Sequence, residues 1–202
     1  MKLPTEQQCQ NYFKQYVVPP NIVEHCQKVR EFSDLLSLKL EESGILINRE
    51  FVSRLSLMHD MFKMVAIDNL QPNKFHQQIF TDEEREMWKK LRQKYPGMYE
   101  GEVACEIFKD QFPELALAIK EYNKADKENH SWEELIVCYA DCRTFRNQIV
   151  SLSERLAYLK EHYSGHDEKW DNRWIEIKKL EQKIVSIINL QPEEIKLGVN
   201  HG

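Results

Sequence analysis

The 202 residues carry a net charge of −5, with 42% hydrophobic and 10% aromatic residues, which is enough apolar material for a packed core and too much for a disordered chain. The acidic balance argues against a general nucleic-acid or anionic-membrane surface, although a local cation can still bring a small phosphorylated ligand to an acidic protein. No apolar run approaches the length of a membrane span and the first residues lack a signal peptide's apolar region, so a cytoplasmic chain is expected.

Six glycines and seven prolines, against 30% charged residues, favour helices over strands. Thr5 to Tyr16 reads as a short amphipathic helix ended by Pro19-Pro20. Asn21 is expected to cap a long helix with Ile22, Val29, Phe32, Leu36 and Leu40 at helical spacing, stopped at Gly44. Asn48 caps the next helix, whose apolar face is Phe51, Val52, Leu55 and Met58, and the pair His59-Asp60 falls near its end. Val65 to Phe80 reads as a loop or short broken helix.

Thr81-Asp82-Glu83-Glu84 is a capping box opening a helix to about Tyr95, closed by Pro96-Gly97. A helix from about Tyr99 to Lys109 follows, and Phe112-Pro113-Glu114 opens another that reaches Tyr122. Asn123 to His130 is a polar loop. Ser131-Trp132-Glu133-Glu134 is a second capping box, starting a helix that carries Asp141, and Ser151-Leu152-Ser153-Glu154 starts one that reaches about Tyr163. Gly165 separates it from a last helix, Asp167 to Ile188, with Trp170, Trp174, Ile177, Ile184 and Ile188 as its seam. With no strand alternation and no internal repeat, the expected fold is all-α.

Five cysteines with no CxxC pair fit reduced, mostly buried thiols; Cys138 and Cys142, four apart beside Asp141, read as core packing. Four other residues carry chemistry. His25, taken alone, is a surface or half-buried histidine, and His59-Asp60 alone is a polar pair at a helix end. Asp141 is harder to set aside, because it lies within the apolar run Leu135 to Ala140, where a carboxylate needs a cation; Arg143 and Arg146 are structural candidates. Together, two imidazoles and two carboxylates form a mixed nitrogen and oxygen set suited to a divalent metal.

Asn21-Ile22-Val23-Glu24-His25-Cys26-Gln27-Lys28-Val29, Leu57-Met58-His59-Asp60-Met61-Phe62-Lys63 and Tyr139-Ala140-Asp141-Cys142-Arg143 follow one another as a His, a His-Asp doublet and a distant Asp. In that order they resemble the HD-domain superfamily of metal-dependent phosphohydrolases. Ile149 to Leu156 resembles the continuation found in its small stand-alone members. The resemblance runs from about Val18 to Tyr163. It implies one domain over residues 1–202, an HD-type helical bundle with a C-terminal helix added at 167–188.

The resemblance also implies His25, His59, Asp60 and Asp141 as ligands of one divalent metal (Mn²⁺, Fe²⁺, Co²⁺, Ni²⁺, Zn²⁺ or Mg²⁺), with water completing the coordination. Such an ion lowers the pKa of bound water and polarises a phosphoryl oxygen. Asp60 can then ligate with one oxygen and take the water's proton with the other. Lys63 matches the family's lysine after the doublet and is a candidate phosphate contact, as is Arg143 beside Asp141. Asp68 stands at the spacing of the acid that protonates the leaving group in some members.

Members with two metals place further histidines between the doublet and the last aspartate. Tyr99-Glu100 and Ile119-Lys120-Glu121-Tyr122 hold tyrosines there, and His76 and His130 read as surface residues, so a single-metal site is expected. The function implied is hydrolysis of a small phosphorylated molecule such as a nucleotide. The alternative is an idle domain that binds metal and a nucleotide or protein partner as a sensor. The amphipathic last helix either closes the core or meets a second copy in a homo-oligomer.

Overall fold

A computed structural model describes residues 1–67, 79–124, 129–162 and 167–195, with the side chains of 162 and 167–170 excepted. Among these the fold is all-α apart from one small hairpin. The helices are α1 (Glu6–Gln15), α2 (Pro20–Glu42), α3 (Arg49–Met58), α4 (Asp82–Lys94), α5 (Glu100–Phe108), α6 (Pro113–Glu121), α7 (Trp132–Arg143), α8 (Leu152–His162) and α9 (Asp167–Ile188). Short 3₁₀ turns cover Lys63–Ala66 and Pro192–Glu194.

Burial separates the helices into two kinds. In α3 every residue from Phe51 to Met58 is buried, Ser53, Arg54 and Ser56 included, and in α7 the run Leu135–Ala140 is buried all round. A helix without a wet face belongs in the middle of a core. α2 is amphipathic and lays Ile22, Cys26, Val29, Phe32, Leu36 and Leu40 against both of them. Each fully buried aliphatic side chain in this contact is worth about 1.5–3 kcal/mol of transfer free energy. α5 and α6 pair with one another, and α9 packs across α2, α7 and α8.

The ends of these helices largely follow the expected signals. Thr81, Ser131 and Ser151 each accept the amide three residues on and receive a reciprocal glutamate, from Glu84, Glu134 and Glu154. Asn48 caps α3 through the amide of Phe51 at 3.0 Å. Gly44, at φ +89°, takes the left-handed conformation that turns the chain out of α2 at little steric cost.

The start of α2 differs from expectation: Pro19 is the cap and Pro20 the first helical residue, not Asn21. Proline's fixed φ and missing N–H suit a first turn whose amides lack partners. The second difference is the antiparallel hairpin of β1 (Thr144–Phe145) and β2 (Gln148–Ile149) after α7. Two residues per strand are too few for alternation to register in a sequence. The expected helix break at Gly165 lies outside the described residues, as do His76 and Asp68. Among the described residues no helix is long and apolar enough to cross a membrane.

Candidate metal centre

The three most interior helices each deliver one part of a four-residue cluster. His25 comes from the second turn of α2, His59 and Asp60 follow the last residue of α3, and Asp141 lies in the last turn of α7. One ligand atom from each lies within 4.8 Å of all the others. Among the described residues this is the only such group of three or more, and it is able to chelate a metal ion.

Distances within the cluster match a coordination sphere. His25 Nε2 stands 3.1 Å from Asp141 Oδ1 and 3.9 Å from Asp60 Oδ2, and His59 Nε2 stands 3.9 Å and 3.8 Å from the same two oxygens. Around one ion with bonds of about 2.1 Å, adjacent ligands lie about 3.0 Å apart and opposite ones about 4.2 Å. The observed spacings fall in that interval.

His59 carries the decisive detail. Its Nδ1 donates to the carbonyl of Ser56 at 2.7 Å, one turn back in α3, which leaves Nε2 as the atom with the lone pair. That Nε2 is fully buried, faces the three other donors and has no hydrogen-bond partner. An orphaned polar atom inside a protein costs roughly 1–3 kcal/mol. A metal bond removes that penalty.

Electrostatics point the same way. Burial opposes ionisation of Asp60, but Lys63 first and His59 next outweigh it and hold the carboxyl below its usual range. Burial opposes Asp141 likewise, and the hydrogen bond from His25 together with the nearby His59 ring holds it well below. Burial opposes the charged form of His59, while Cys26 and the carboxylates of Asp60 and Asp141 push its pKa well above 6.5. The cluster thus presents two ionised carboxylates and attracts a compensating positive charge. The C-terminal ends of α3 and α7 add their negative dipole ends to that attraction.

Arg143, one of the arginines weighed as a partner for Asp141, is not its cation. Arg143 turns to the other side of α7, is buried, and donates to Val150 O, Tyr139 Oη, Glu181 and Pro192 O. It does not reach the cluster's cleft, and its placement speaks for a structural tie. Lys63 does reach the cleft, with Nζ 3.4 Å from both Asp60 Oδ1 and Glu100 Oε1.

The positions at which the resemblance would place further histidines hold Tyr99 and Tyr122. Tyr122 is buried with its ring edge-on to His59 at 5.6 Å, and burial with the charges of Asp141 and Asp60 pushes its phenol well above 10. Tyr99 donates to Lys120 O at 2.7 Å, tying α5 to α6. His130 is half-buried rather than a surface residue, and its Nε2 lies 2.7 Å from Glu121 O at the end of α6.

His25, Asp60 and Asp141 of the cluster form the floor of a cleft of about 580 Å³, a size suited to a small-molecule ligand. Its wall comes from elements that sequence reasoning gave other duties: Arg146 and Phe145 on the hairpin, Arg155 and Tyr158 on α8, Arg173 on α9 and Asn123 after α6. Arg155 was legible only as part of the segment resembling a family continuation. Arg173 reads in sequence as a solvated residue on an amphipathic helix, and Glu100 stood next to a tyrosine of more evident interest. Cys142 also reaches the cleft, and a hydrogen bond with Cys138, then burial, pushes its thiol well above 9.

Comparison of the chain with protein-family models, curated proteins and solved structures finds no match in any of the three. The His25, His59, Asp60 and Asp141 cluster in an all-α fold is consistent with an HD-like motif.

Proposed function

We propose that this protein is a metal-dependent phosphohydrolase of the HD type, acting on a small phosphorylated molecule such as a nucleotide. The single observation that carries the reading is the buried, unpartnered Nε2 of His59, aimed at an imidazole and two ionised carboxylates. His25, His59, Asp60 and Asp141 would hold the ion. When bound, it supplies Lewis-acid polarisation of a phosphoryl oxygen and acidification of a water.

The chain's own residues take the remaining tasks. Asp60 is divided in role: Oδ2 faces both histidines, and Oδ1 faces Lys63 and the cleft. Oδ1 is placed to accept the proton of the attacking water, and the Lys63 ammonium keeps that carboxylate ionised before it does so. Lys63 also brings a point charge to the phosphate as negative charge grows on it. From the sequence alone, Asp68 is assigned protonation of the leaving group. The basic wall supports a phosphorylated ligand over a neutral one, since it places arginines above the floor of a protein whose net charge is −5.

The test couples metal analysis to turnover. Purified protein should hold one equivalent of a divalent metal and release phosphate from some member of a panel of nucleotides and sugar phosphates supplied with Mn²⁺, Co²⁺, Ni²⁺ or Mg²⁺. Asp60→Ala should abolish metal content and phosphate release together. A panel that raises the melting temperature without any turnover replaces the hydrolase with a sensor domain.

A further inference from the structure

The arginines of this chain divide by what they touch. Arg30 and Arg54 pair with Glu6, Arg49 with Glu41, Arg85 with Asp82 and Arg143 with Glu181. Arg155 and Arg173, both lining the cleft above the metal cluster, have no carboxylate partner among the described residues. Arg173 is fixed by donating to the carbonyl and side-chain oxygens of Asn123. Arg155 makes no side-chain hydrogen bond there at all, and its buried Nε is one of the few orphaned polar atoms of the structure.

Arg155 is nevertheless held in place. Its guanidinium lies 5.5 Å from the ring centres of both Phe145 and Tyr158, which themselves pack at 4.3 Å. Stacking against ring faces fixes the plane of a guanidinium and leaves its N–H edge for a ligand. The hairpin that supplies Phe145 turns through Arg146 at φ +57°, a conformation that costs a non-glycine residue roughly 1–2 kcal/mol and that concentrates at functional sites. Only Nε of this guanidinium is buried, and its two terminal nitrogens stay accessible in the cleft, pre-oriented and unpaired in an acidic chain, a geometry suited to an incoming anion.

We propose that Arg155, braced by Phe145 and Tyr158 and flanked by Arg173, forms a second anion-binding subsite in the cleft, so that the ligand carries a second phosphate or carboxylate besides the one over the metal cluster. That the ligand is a substrate rests on the phosphohydrolase reading; that a second anion binds does not. Arg155 is the specificity-determining residue, choosing doubly anionic molecules over singly anionic ones of the same size. The edge of a guanidinium meets such a group with two parallel N–H bonds, a geometry that a lysine ammonium does not reproduce.

Inorganic phosphate, titrated calorimetrically, counts the subsites without turnover. Chelator-stripped protein should bind one phosphate, protein loaded with Mn²⁺ two, and loaded Arg155→Gln one, with Mn²⁺ affinity and melting temperature unchanged from wild type. Arg155→Lys, which keeps the charge and loses the fork, should weaken the metal-independent site by about tenfold or more, as expected for loss of a charged hydrogen bond. The proposal is overturned if stripped protein binds no phosphate, or if stripped Arg155→Gln binds it as tightly as wild type. Phosphate binding that survives while the substrate panel shows no turnover removes the hydrolase reading and leaves the anion subsite standing.

Discussion

Two charged regions lie on opposite sides of α7, and their accounts close differently. Behind the helix, Arg143 meets Val150 O, Tyr139 Oη, Glu181 and Pro192 O, and Tyr139 Oη in turn donates to Glu181 at 2.7 Å. In front of it, two residues earlier, Asp141 meets His25, while His59 Nε2 meets nothing within hydrogen-bond reach. A buried network with every member satisfied rigidifies a fold. One that leaves a lone pair aimed into a cluster of carboxylates waits for a ligand. The difference separates an arginine that the sequence made look functional from a histidine whose free nitrogen faces a group able to hold a metal ion.

Removing charge from the front region should give the largest effect. Asp141→Asn keeps the side chain's shape and removes the carboxylate charge that His25 and an ion share. Metal affinity, measured by competition with a chelator, should fall by more than about 100-fold, beyond the loss typical of a residue that merely orients a ligand. Phosphate release should fall with it. Wild-type affinity in this variant would mean that the ion sits elsewhere. Behind α7 the expectation inverts. Arg143→Met leaves the half-buried Glu181 without its cation beside Tyr139 and should cost about 1.5–3 kcal/mol of stability in denaturant melts, with metal stoichiometry unaltered. Loss of metal without loss of stability would return Arg143 to the site.

The next effect in size comes from proton and metal competing for the same orphan. In metal-free protein the His59 imidazolium compensates Asp60 and Asp141, and its folded-state pKa lies well above 6.5. Its contribution is complete below the unfolded value of about 6.5 and disappears as the pH rises through the folded value. Asp141, held well below 3.8, contributes with the opposite sense, losing its share only in strong acid. Melting temperatures of stripped protein should therefore fall as the pH rises above about 6.5. With Mn²⁺ at a fixed concentration, 100 times its dissociation constant at the acid end of the series, about 2.7 kcal/mol is added there, and the addition grows as metal affinity rises with loss of the His59 proton. The gap between the two melting curves should widen with pH. A constant gap would show that the metal and the His59 proton do not share a site.

Most of the floor of the cleft was legible in the sequence and most of its wall was not. His25, His59, Asp60 and Asp141 could be picked out because each is a metal-type ligand beside an apolar helical run, where a charge demands explanation. The helices that carry them were legible through periodicity, through the Asn48 cap of α3 and through the Ser131 capping box of α7. The wall depends on where α8, α9 and the short hairpin from Thr144 to Ile149 lie relative to α7, a tertiary fact with no local signature. Arg155 and Arg173 differ from a solvated helix arginine in lining the cleft with no carboxylate in ion-pair reach among the described residues, and which carboxylates come into reach is set by packing. Arg143 shows the reverse error, in which adjacency to Asp141 stood in for direction. Successive residues of a helix point about 100° apart, so residues two apart leave on opposite faces.

The smallest expected effect asks whether the two sides of α7 depend on the helix or on each other. Ser131 caps α7, accepting the Glu134 amide at 3.2 Å while Glu134 returns to the Ser131 amide at 2.9 Å. Asp141 and Arg143 lie at the other end, held by His25 on one side and by Glu181 and Val150 O on the other. Ser131→Ala should cost about 1 kcal/mol, since the amides it frees face solvent and the first turn frays. Because the far end of the helix is fixed by tertiary partners, that fraying should not reach the cluster, and chelator competition should return the wild-type metal affinity. A variant that loses metal affinity along with its cap would show that α7 moves as one body, and that the rear network positions Asp141 rather than only holding the fold.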